Sequence, residues 1–381
     1  MSLWHLECSA CDFRESASAL ATICASCGQP LLVRYDSPMP TRDALASRWD
    51  MWRYLDALPL APGEQPVSLG EGLTPMHDSP TLAREIGVAR LWVKDEGLNP
   101  TASFKARGMS AAVTRARALG VPGFVTPTAG NAGAALSAYG AAARLPVRIY
   151  APESTPRPIL DTIRTLGADL HLVAGHIGDA GKQARAFAAS SGYFDVSTLR
   201  EPYRIEGKKT MGLELAEQLG WRLPTHIIYP TGGGTGLIGM WKAFAEMRDA
   251  GWLARDIVMP RMVVAQAEGC APMVRAFLAG ADHATPWENP STHASGLRVL
   301  SALGDRLILR ALRESRGDAQ AVSEDAIRTA TLMLSRATGI DAAPEGGCAL
   351  AAAAELVRAG RIPHDAEVLV FNTGSGASYR F

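Results

Sequence analysis

The stretch from Thr225 to Trp241 limits the possible folds more than any other part of the chain. Thr225-His226-Ile227-Ile228-Tyr229-Pro230-Thr231 reads as a buried strand. Gly232-Gly233-Gly234-Thr235-Gly236 follows at once, and Leu237-Ile238-Gly239-Met240-Trp241 opens an apolar helix. A strand running through a short glycine loop into a helix is one unit of an α/β fold, and such units assemble into parallel sheets covered by helices. The loop also leaves bare backbone N–H groups at a helix N-terminus, which makes a cradle for phosphate oxygens. Gly234, Gly236 and Gly239 satisfy G-x-G-x-x-G, and Glu268 follows the next strand-like run, Arg261-Met262-Val263-Val264-Ala265-Gln266. A dinucleotide is therefore one reading of the loop, and a different phosphate ligand is another.

The same alternation recurs elsewhere. From about Gly108 to Ser197 the chain repeats helix and strand, with strands at Val147-Arg148-Ile149-Tyr150 and Asp169-Leu170-His171-Leu172-Val173 and a helix near Asp179 to Ser190. A second αβ series runs from about Tyr203 to Phe381. Thr41 to Leu58 looks helical, and Pro59 to Pro66 looks like a connection. The alanine tract Ala349 to Ala354 reads as a closely packed helix surface. At 381 residues and 47% hydrophobic, the chain can bury a core of more than one domain.

Lys+Arg and Asp+Glu both number 38, so no basic surplus points to nucleic acid. No stretch is long and apolar enough to span a membrane, and Met1-Ser2-Leu3-Trp4-His5 does not resemble a secretory signal. The cytoplasm is the expected location.

Asn99-Pro100-Thr101-Ala102-Ser103-Phe104-Lys105-Ala106-Arg107 sets one lysine at the start of a helix. Pro100 follows the extended run Leu91-Trp92-Val93-Lys94, and Ser103 is the expected N-cap of an alanine-rich helix reaching about Leu119. Lys105 then falls in the first turn, where the helix dipole disfavours a cation. The same field lowers the pKa of an amine that must act neutral, as a Schiff-base lysine must.

Two further turns carry chemistry. The strand Gly123-Phe124-Val125-Thr126-Pro127-Thr128 runs into Thr128-Ala129-Gly130-Asn131-Ala132-Gly133, which offers a row of N–H donors for a carboxylate and one side-chain amide. Near the C-terminus, Glu367-Val368-Leu369-Val370-Phe371 ends in Asn372-Thr373-Gly374-Ser375-Gly376, where hydroxyls stand beside small residues.

The cysteines are unevenly used. Cys8-x-x-Cys11 and Cys24-x-x-Cys27 form two knuckles twelve residues apart in a short polar segment ending near Tyr35. Four thiolates can close a tetrahedral shell around one structural zinc. Disulfides are the competing reading, although nothing in the sequence suggests an oxidising compartment. Cys270 and Cys348 are expected to be ordinary buried or partly buried thiols.

In this order, the lysine segment, the Thr128 turn, the glycine loop and the Thr373 turn resemble the tryptophan-synthase-β-like (fold type II) family of pyridoxal-phosphate enzymes, and within it the threonine synthases. The resemblance runs from about Val67 to Phe381. It takes in Glu71-Gly72-Leu73-Thr74-Pro75, Pro202-Tyr203-Arg204-Ile205-Glu206-Gly207-Lys208-Lys209-Thr210 and Pro344-Glu345-Gly346-Gly347. It implies an α/β fold of two open parallel-sheet αβα domains with the cofactor between them, plus an N-terminal zinc-ribbon-like segment. The expected boundaries are 1–38 for the ribbon, 39–107 and 198–381 for the larger cofactor-binding domain, and 108–197 for a smaller inserted αβ domain. Similar ribbons precede the catalytic region in some relatives, which would make this one a structural appendage. A homodimer acting on a small amino acid is also implied.

The resemblance assigns roles residue by residue. Lys105 would hold pyridoxal 5'-phosphate as a Schiff base and then carry protons, with Phe104 packing near the cofactor ring. Asn131 would hydrogen-bond the phenolic oxygen, and Thr128, Ala129, Gly130, Asn131 and Ala132 would bind the substrate carboxylate. Gly232, Gly233, Gly234, Thr235 and Gly236 would hold the cofactor phosphate, and Thr373 would face the pyridine nitrogen. A hydroxyl there leaves the nitrogen largely neutral, which favours elimination and replacement over transamination.

A threonine synthase must also grip a phosphorylated side chain, converting O-phospho-L-homoserine and water to L-threonine and phosphate. Arg204, with Lys208 or Lys209, could supply those ligands. One of the two lysines is expected to be solvated. Ala106, Thr128-Ala129-Gly130 and Thr198-Leu199-Arg200-Glu201 depart from the threonine-synthase pattern. They leave open another reaction on the same scaffold, a serine/threonine ammonia-lyase or a cysteate-synthase-like β-replacement.

Overall fold

The computed structural model describes residues 3–380; Met1, Ser2 and Phe381, which belong to stretches read above, lie outside it. The chain begins with β1 (Trp4–Cys8), β2 (Arg14–Ser16) and β3 (Leu31–Tyr35), then continues through β4 (Met76–Asp78), α1 (Pro80–Ile86) and β5 (Arg90–Asp95). Next come α2 (Lys105–Ala118), β6 (Phe124–Pro127), α3 (Asn131–Ala143), β7 (Val147–Pro152), α4 (Arg157–Thr165), β8 (Asp169–Val173), α5 (Ile177–Ser191) and β9 (Phe194–Asp195). The remainder is α6 (Tyr203–Gln218), β10 (His226–Pro230), α7 (Thr235–Asp249), β11 (Arg261–Ala267), α8 (Pro272–Leu278), α9 (Asp305–Glu314), β12 (Asp318–Val322), α10 (Glu324–Thr338), α11 (Pro344–Arg358) and β13 (Glu367–Asn372).

Two compact units result. Of the described residues, the first holds 3–73, Asn99–Met211 and 378–380; the second holds Thr74–Leu98 and Gly212–Ala377. These limits differ from the boundaries 38/39, 107/108 and 197/198 read from the sequence, because the ribbon, α2 and the four-stranded sheet share contacts in one unit.

In the first unit, the antiparallel ribbon sheet has the order β2-β1-β3, and a parallel sheet has the order β8-β7-β6-β9. One apolar core runs through both. Trp4, Leu6, Leu31 and Val33 of the ribbon belong to the same buried cluster as Ala106, Met109, Ala112 and Val113 of α2. The ribbon is therefore packed into the unit that carries Lys105, and the expectation of an appendage is corrected. Arg115 of α2 adds to the join, lying over the Trp4 ring at 5.1 Å and donating to the Ala17 carbonyl at 2.8 Å.

Two local expectations also change. Residues 41–58 form two 3-10 stretches, Arg42–Ala44 and Met51–Ala57, in place of a helix. Met51 donates its N–H to the Glu71 carbonyl, and Met51, Trp52 and Tyr54 are all buried, a spacing that one helical face cannot supply. Glu71 anchors this region: its buried carboxylate accepts from Trp52 Nε1 at 3.1 Å and Tyr139 Oη at 2.6 Å. In addition, α2 begins at Lys105 with Phe104 as cap residue, and no side chain caps it. Ser103 is extended (φ −162°) and buried after the turn at Thr101 and Ala102, which both have positive φ.

In the second unit, six strands have the order β12-β11-β10-β13-β5-β4, parallel except for β4. Every residue of β10 is buried, as a strand covered on both faces requires. α11 packs on this sheet through Cys348, Ala349, Ala352 and Ala353, so the alanine tract is core surface. A buried ion pair, Lys94 with Glu214, is completed by Lys94 donating to the Thr74 carbonyl at 2.6 Å and Gln218 Oε1 at 2.9 Å. Among the described residues, no helix is long and apolar enough to cross a membrane.

Candidate active site

The first unit carries Lys105, the Thr128 turn and Arg204. Lys105 occupies the first position of α2, and its Nζ lies 4.4 Å from the centroid of the Phe104 ring. The Thr128–Ala132 turn leads from β6 into α3, whose first residue is Asn131. Thr128 organises this turn by itself: its hydroxyl accepts from the Gly130 and Gly133 amides at 3.1 and 3.0 Å and donates to the Gly130 carbonyl at 2.7 Å. The Asn131 and Ala132 amides open the helix, so the helix supplies them no acceptor. With the Gly130 and Gly133 amides taken up by Thr128, the Asn131 and Ala132 amides are donors that an anion at this turn could meet.

Arg204 lies in the first turn of α6 and is 1% exposed. Its Nη1 donates to the Val196 carbonyl at 2.8 Å and to Thr198 Oγ1 at 3.4 Å. Nε and Nη2 are buried without a hydrogen-bond partner among the described residues. Leaving guanidinium donors unmet in a buried place is costly, and an anionic ligand would relieve it. Burial pulls the Arg204 guanidinium down from its ordinary value, opposed by the charges of Glu201 and Asp195.

Glu201 is fully buried and caps α6, accepting the Tyr203 amide at 2.7 Å and the Arg204 amide at 3.1 Å. Burial pushes its carboxyl up to about 7, against the Arg204 charge and the two amides, which pull it down. Lys208 and Lys209 are both 0% exposed, so neither is the solvated lysine expected from the sequence. Lys209 pairs with Glu206 at 2.7 Å and donates to the Ala57 carbonyl at 2.6 Å, while Tyr35 Oη of the ribbon donates to Glu206 at 2.6 Å. That makes Lys209 a structural cation, and it is no longer a candidate anion ligand.

The second unit carries the glycine loop and Thr373. β10 and β13 are parallel neighbours, with His226 paired to Val368. The loop through Gly232, Gly233, Gly234, Thr235 and Gly236 and the turn at Thr373 therefore emerge side by side at their C-terminal ends. β11 and β12 lie on one side of β10 and β13 and β5 on the other, so this is a topological switch point, where open α/β sheets bind ligands. Gly234 has φ +77° and ends the loop, and α7 starts at Thr235 with its first amides unpaired by the helix. A Cβ on Gly232 would lie 2.5 Å from the Gly296 carbonyl oxygen, so the Ser295–Leu297 turn closes directly on the loop. The sequence reading missed that turn, which has no glycine-rich signature of its own. Thr373 is 6% exposed and follows Asn372, whose side chain is fixed by the Ala343 amide at 3.1 Å and Asp95 at 2.8 Å. The same Ala343 caps α11, which explains why Pro344-Glu345-Gly346-Gly347 accompanies the site.

The ribbon cysteines converge. The Sγ atoms of Cys8, Cys11, Cys24 and Cys27 all lie within 4.8 Å of one another, at 3.4 Å for Cys8–Cys27 and 3.6 Å for Cys11–Cys24 and Cys11–Cys27. Tetrahedral Zn–S bonds of about 2.3 Å require sulfurs about 3.8 Å apart, so the four thiols fit zinc. None of them is in a disulfide, and Cys270 and Cys348 are buried thiols.

A pyridoxal-phosphate-dependent enzyme family model matches residues 67–374, a span that contains the lysine, the glycine loop and Thr373. The chain belongs to that family. It is 34% identical to a threonine synthase of Methanosarcina acetivorans, over 98% of this chain and 91% of the relative. It is also 34% identical to a threonine synthase of Methanocaldococcus jannaschii, over 86% and 80% of the two chains. Among solved structures, maize serine racemase superposes with a TM-score of 0.69 at 23% identity, covering 80% of this chain and 88% of that one. Diaminopropionate ammonia lyase from Escherichia coli gives 0.70 at 19% identity, over 82% and 88%. These two establish the fold, that of fold type II pyridoxal-phosphate enzymes. The family decides the cofactor as pyridoxal phosphate over a dinucleotide, and the loop fits it: a helix N-terminus with glycines where side chains would collide is made for one phosphate.

Proposed function

We propose that the chain is a threonine synthase, converting O-phospho-L-homoserine and water to L-threonine and phosphate. The observation that carries this reading is Arg204: a buried guanidinium with two unmet donors suits a substrate that brings its own anionic side chain. The identity to curated threonine synthases over nearly the whole chain supports it.

In this reading Gly232 to Gly236, with the Thr235 hydroxyl, hold the cofactor phosphate, and Lys105 holds the cofactor itself. Phe104 packs by its ring, Asn131 donates to its phenolic oxygen, and Thr373 meets its pyridine nitrogen. The bound cofactor spreads the negative charge left at the substrate α-carbon after a proton is lost. Lys105 Nζ would take that proton and then one from the β-carbon, and would return one to the γ-carbon and one to the α-carbon. The added water gives its hydroxyl to the β-carbon and its remaining proton to the departing phosphate. The Asn131 and Ala132 amides, in the turn shaped by Thr128, Ala129 and Gly130, hold the carboxylate. Arg204 holds the side-chain phosphate until the γ-carbon–oxygen bond breaks, and water then adds at the β-carbon. Thr373, a hydroxyl and not a carboxylate, leaves the ring nitrogen neutral and favours loss of the leaving group. The four ribbon cysteines hold a structural zinc, since a closed shell of four sulfurs leaves no position for substrate.

A second reading has a specific observation in its favour. Glu201 is buried one turn from Arg204, and as a carboxylate it would oppose a phosphate dianion; together with Ala106 it suits a small unphosphorylated amino acid. Arg204→Met separates the two. A threonine synthase loses affinity for O-phosphohomoserine by about 100-fold or more, with little change in the cofactor absorbance. An ammonia-lyase turns serine or threonine into a 2-oxo acid at a rate that Arg204→Met barely alters.

A further inference from the structure

α6 and α2 cross unusually closely. A Cβ on Gly207 would fall 2.1 Å from the Arg107 carbonyl oxygen and 2.8 Å from Gly108 Cα, so at this point the helices touch backbone to backbone. The contact opens a narrow slot over Gly108, and the Lys208 side chain runs along it. A Cβ on Gly108 would lie 3.0 Å from Lys208 Cε and 3.2 Å from its Nζ. The ammonium emerges at the residue before Lys105. It donates to the Phe104 carbonyl and stands 4.2 Å from the Phe104 ring centroid, on the ring that Lys105 Nζ also approaches, at 4.4 Å.

The side chain is fully buried, and its ammonium is set against both the carbonyl and the ring of Phe104. Phe104 is the cap residue on which α2 opens, directly before Lys105, and it follows the turn at Thr101 and Ala102, where both residues have positive φ. A group that grips the backbone and the ring of Phe104 from a neighbouring helix therefore bears on where the Lys105 amine is presented.

We propose that Lys208 is a positioning residue for Lys105, holding the Phe104 carbonyl and ring from the neighbouring helix and so fixing the turn that presents the Lys105 amine. This rests on the reading of Lys105 as the cofactor lysine. In this assignment Lys208 acts through Phe104 and not as a ligand of the substrate phosphate.

The test uses the full-length protein stripped of cofactor, wild type and the variants Lys208→Met, Lys208→Gln and Lys105→Ala. Pyridoxal phosphate is added, attachment is trapped with borohydride at intervals, and the modified peptide is identified by mass. Wild type is modified at Lys105. Lys208→Met attaches the cofactor at the same residue at least tenfold more slowly, and its kcat falls more than its KM rises. Lys208→Gln, which keeps a donor for the Phe104 carbonyl, recovers part of both losses. Attachment at the wild-type rate in Lys208→Met overturns the proposal. So does an equal loss in the Met and Gln variants that follows their fall in melting temperature, because that pattern belongs to a packing role. If Lys105→Ala is modified as fast as wild type, at another lysine, the Lys105 reading fails first, and that outcome is distinct from either result at Lys208.

Discussion

Gly207→Ala is the most demanding single-atom test of how the first unit is assembled. Two effects oppose each other. Alanine is favoured over glycine inside a helix by about 1 kcal/mol. The added methyl, however, meets the Arg107 carbonyl oxygen at 2.1 Å, Arg107 C at 2.7 Å and Gly108 Cα at 2.8 Å. All three atoms are backbone, so no rotamer change relieves the collision and α6 must move away from α2. Overpacking costs about 1–3 kcal/mol, and three backbone atoms inside 3.0 Å put this site in the upper part of that range, about 2–3 kcal/mol, so the net loss is about 1–2 kcal/mol. In a unit of this size that lowers the melting temperature by about 2–8 °C. The shift also separates Arg204 and Lys208 on α6 from Lys105 on α2, and a displacement near 1 Å costs up to about 100-fold in kcat/KM. Thermal melts and steady-state kinetics measure both effects. Gly108→Ala is the control, because a Cβ there meets Lys208 Cε at 3.0 Å and the Arg204 carbonyl oxygen at 3.1 Å, contacts that are tight without overlapping as those at Gly207 do, and a smaller loss of stability is expected. A Gly207→Ala protein that melts at or above wild type with unchanged kcat/KM would refute the reasoning.

Three further outcomes follow from the site. Lys105→Ala loses the visible absorbance of the bound cofactor and all turnover, and near wild-type turnover in that variant would remove Lys105 from the chemistry. For Glu201, the folded carboxyl titrates at about 7, above its ordinary value of 4.5; its protonated form therefore stabilises the fold fully below about pH 4.5, and that contribution disappears as the pH rises through 7. Glu201→Gln should gain stability relative to wild type by roughly 2–3 kcal/mol between pH 5 and pH 8 in urea unfolding, whereas a constant difference would show that the buried carboxyl does not titrate there. Purified protein should release one zinc per chain to a mercurial and a metallochromic dye. Cys24→Ser should lose that zinc and melt at least about 5 °C lower, because the ribbon and α2 share one core; unchanged melting would uncouple them.

The parts of the fold visible in the sequence were those written in local chemistry. The strand and glycine loop at Thr225 to Gly236 could be read because buried parallel strands are apolar throughout and a helix N-terminus needs small residues for a phosphate. The two Cys-x-x-Cys knuckles were equally legible as a pair, and their four sulfurs do converge to within 4.8 Å of one another. Interactions between distant segments were not. Ser103 has the composition of an N-cap, but the turn at Thr101 and Ala102 leaves it extended and buried. One of Lys208 and Lys209 reads as solvated, and only the packing of α6 against α2 and the ribbon reveals that both are buried, with different contacts. Trp52 and Tyr54 share apolar residues with a helix pattern, yet the strong tie from Met51 to Glu71 bends the segment into a 3-10 stretch. The Ser295–Leu297 turn against the phosphate loop gave no local signal, because its role depends on where β10 ends.

The central claim is the reaction, and one measurement addresses it directly: product analysis by mass spectrometry after supplying O-phospho-L-homoserine to the cofactor-loaded protein in ¹⁸O-water. The account predicts L-threonine carrying one ¹⁸O at its hydroxyl and an equal amount of unlabelled phosphate, because the bond broken is between the γ-carbon and oxygen and the water adds at the β-carbon. Phosphate released with a 2-oxo acid in place of threonine, or no turnover in a protein that attaches cofactor at Lys105 and converts serine or threonine to a 2-oxo acid, would contradict it.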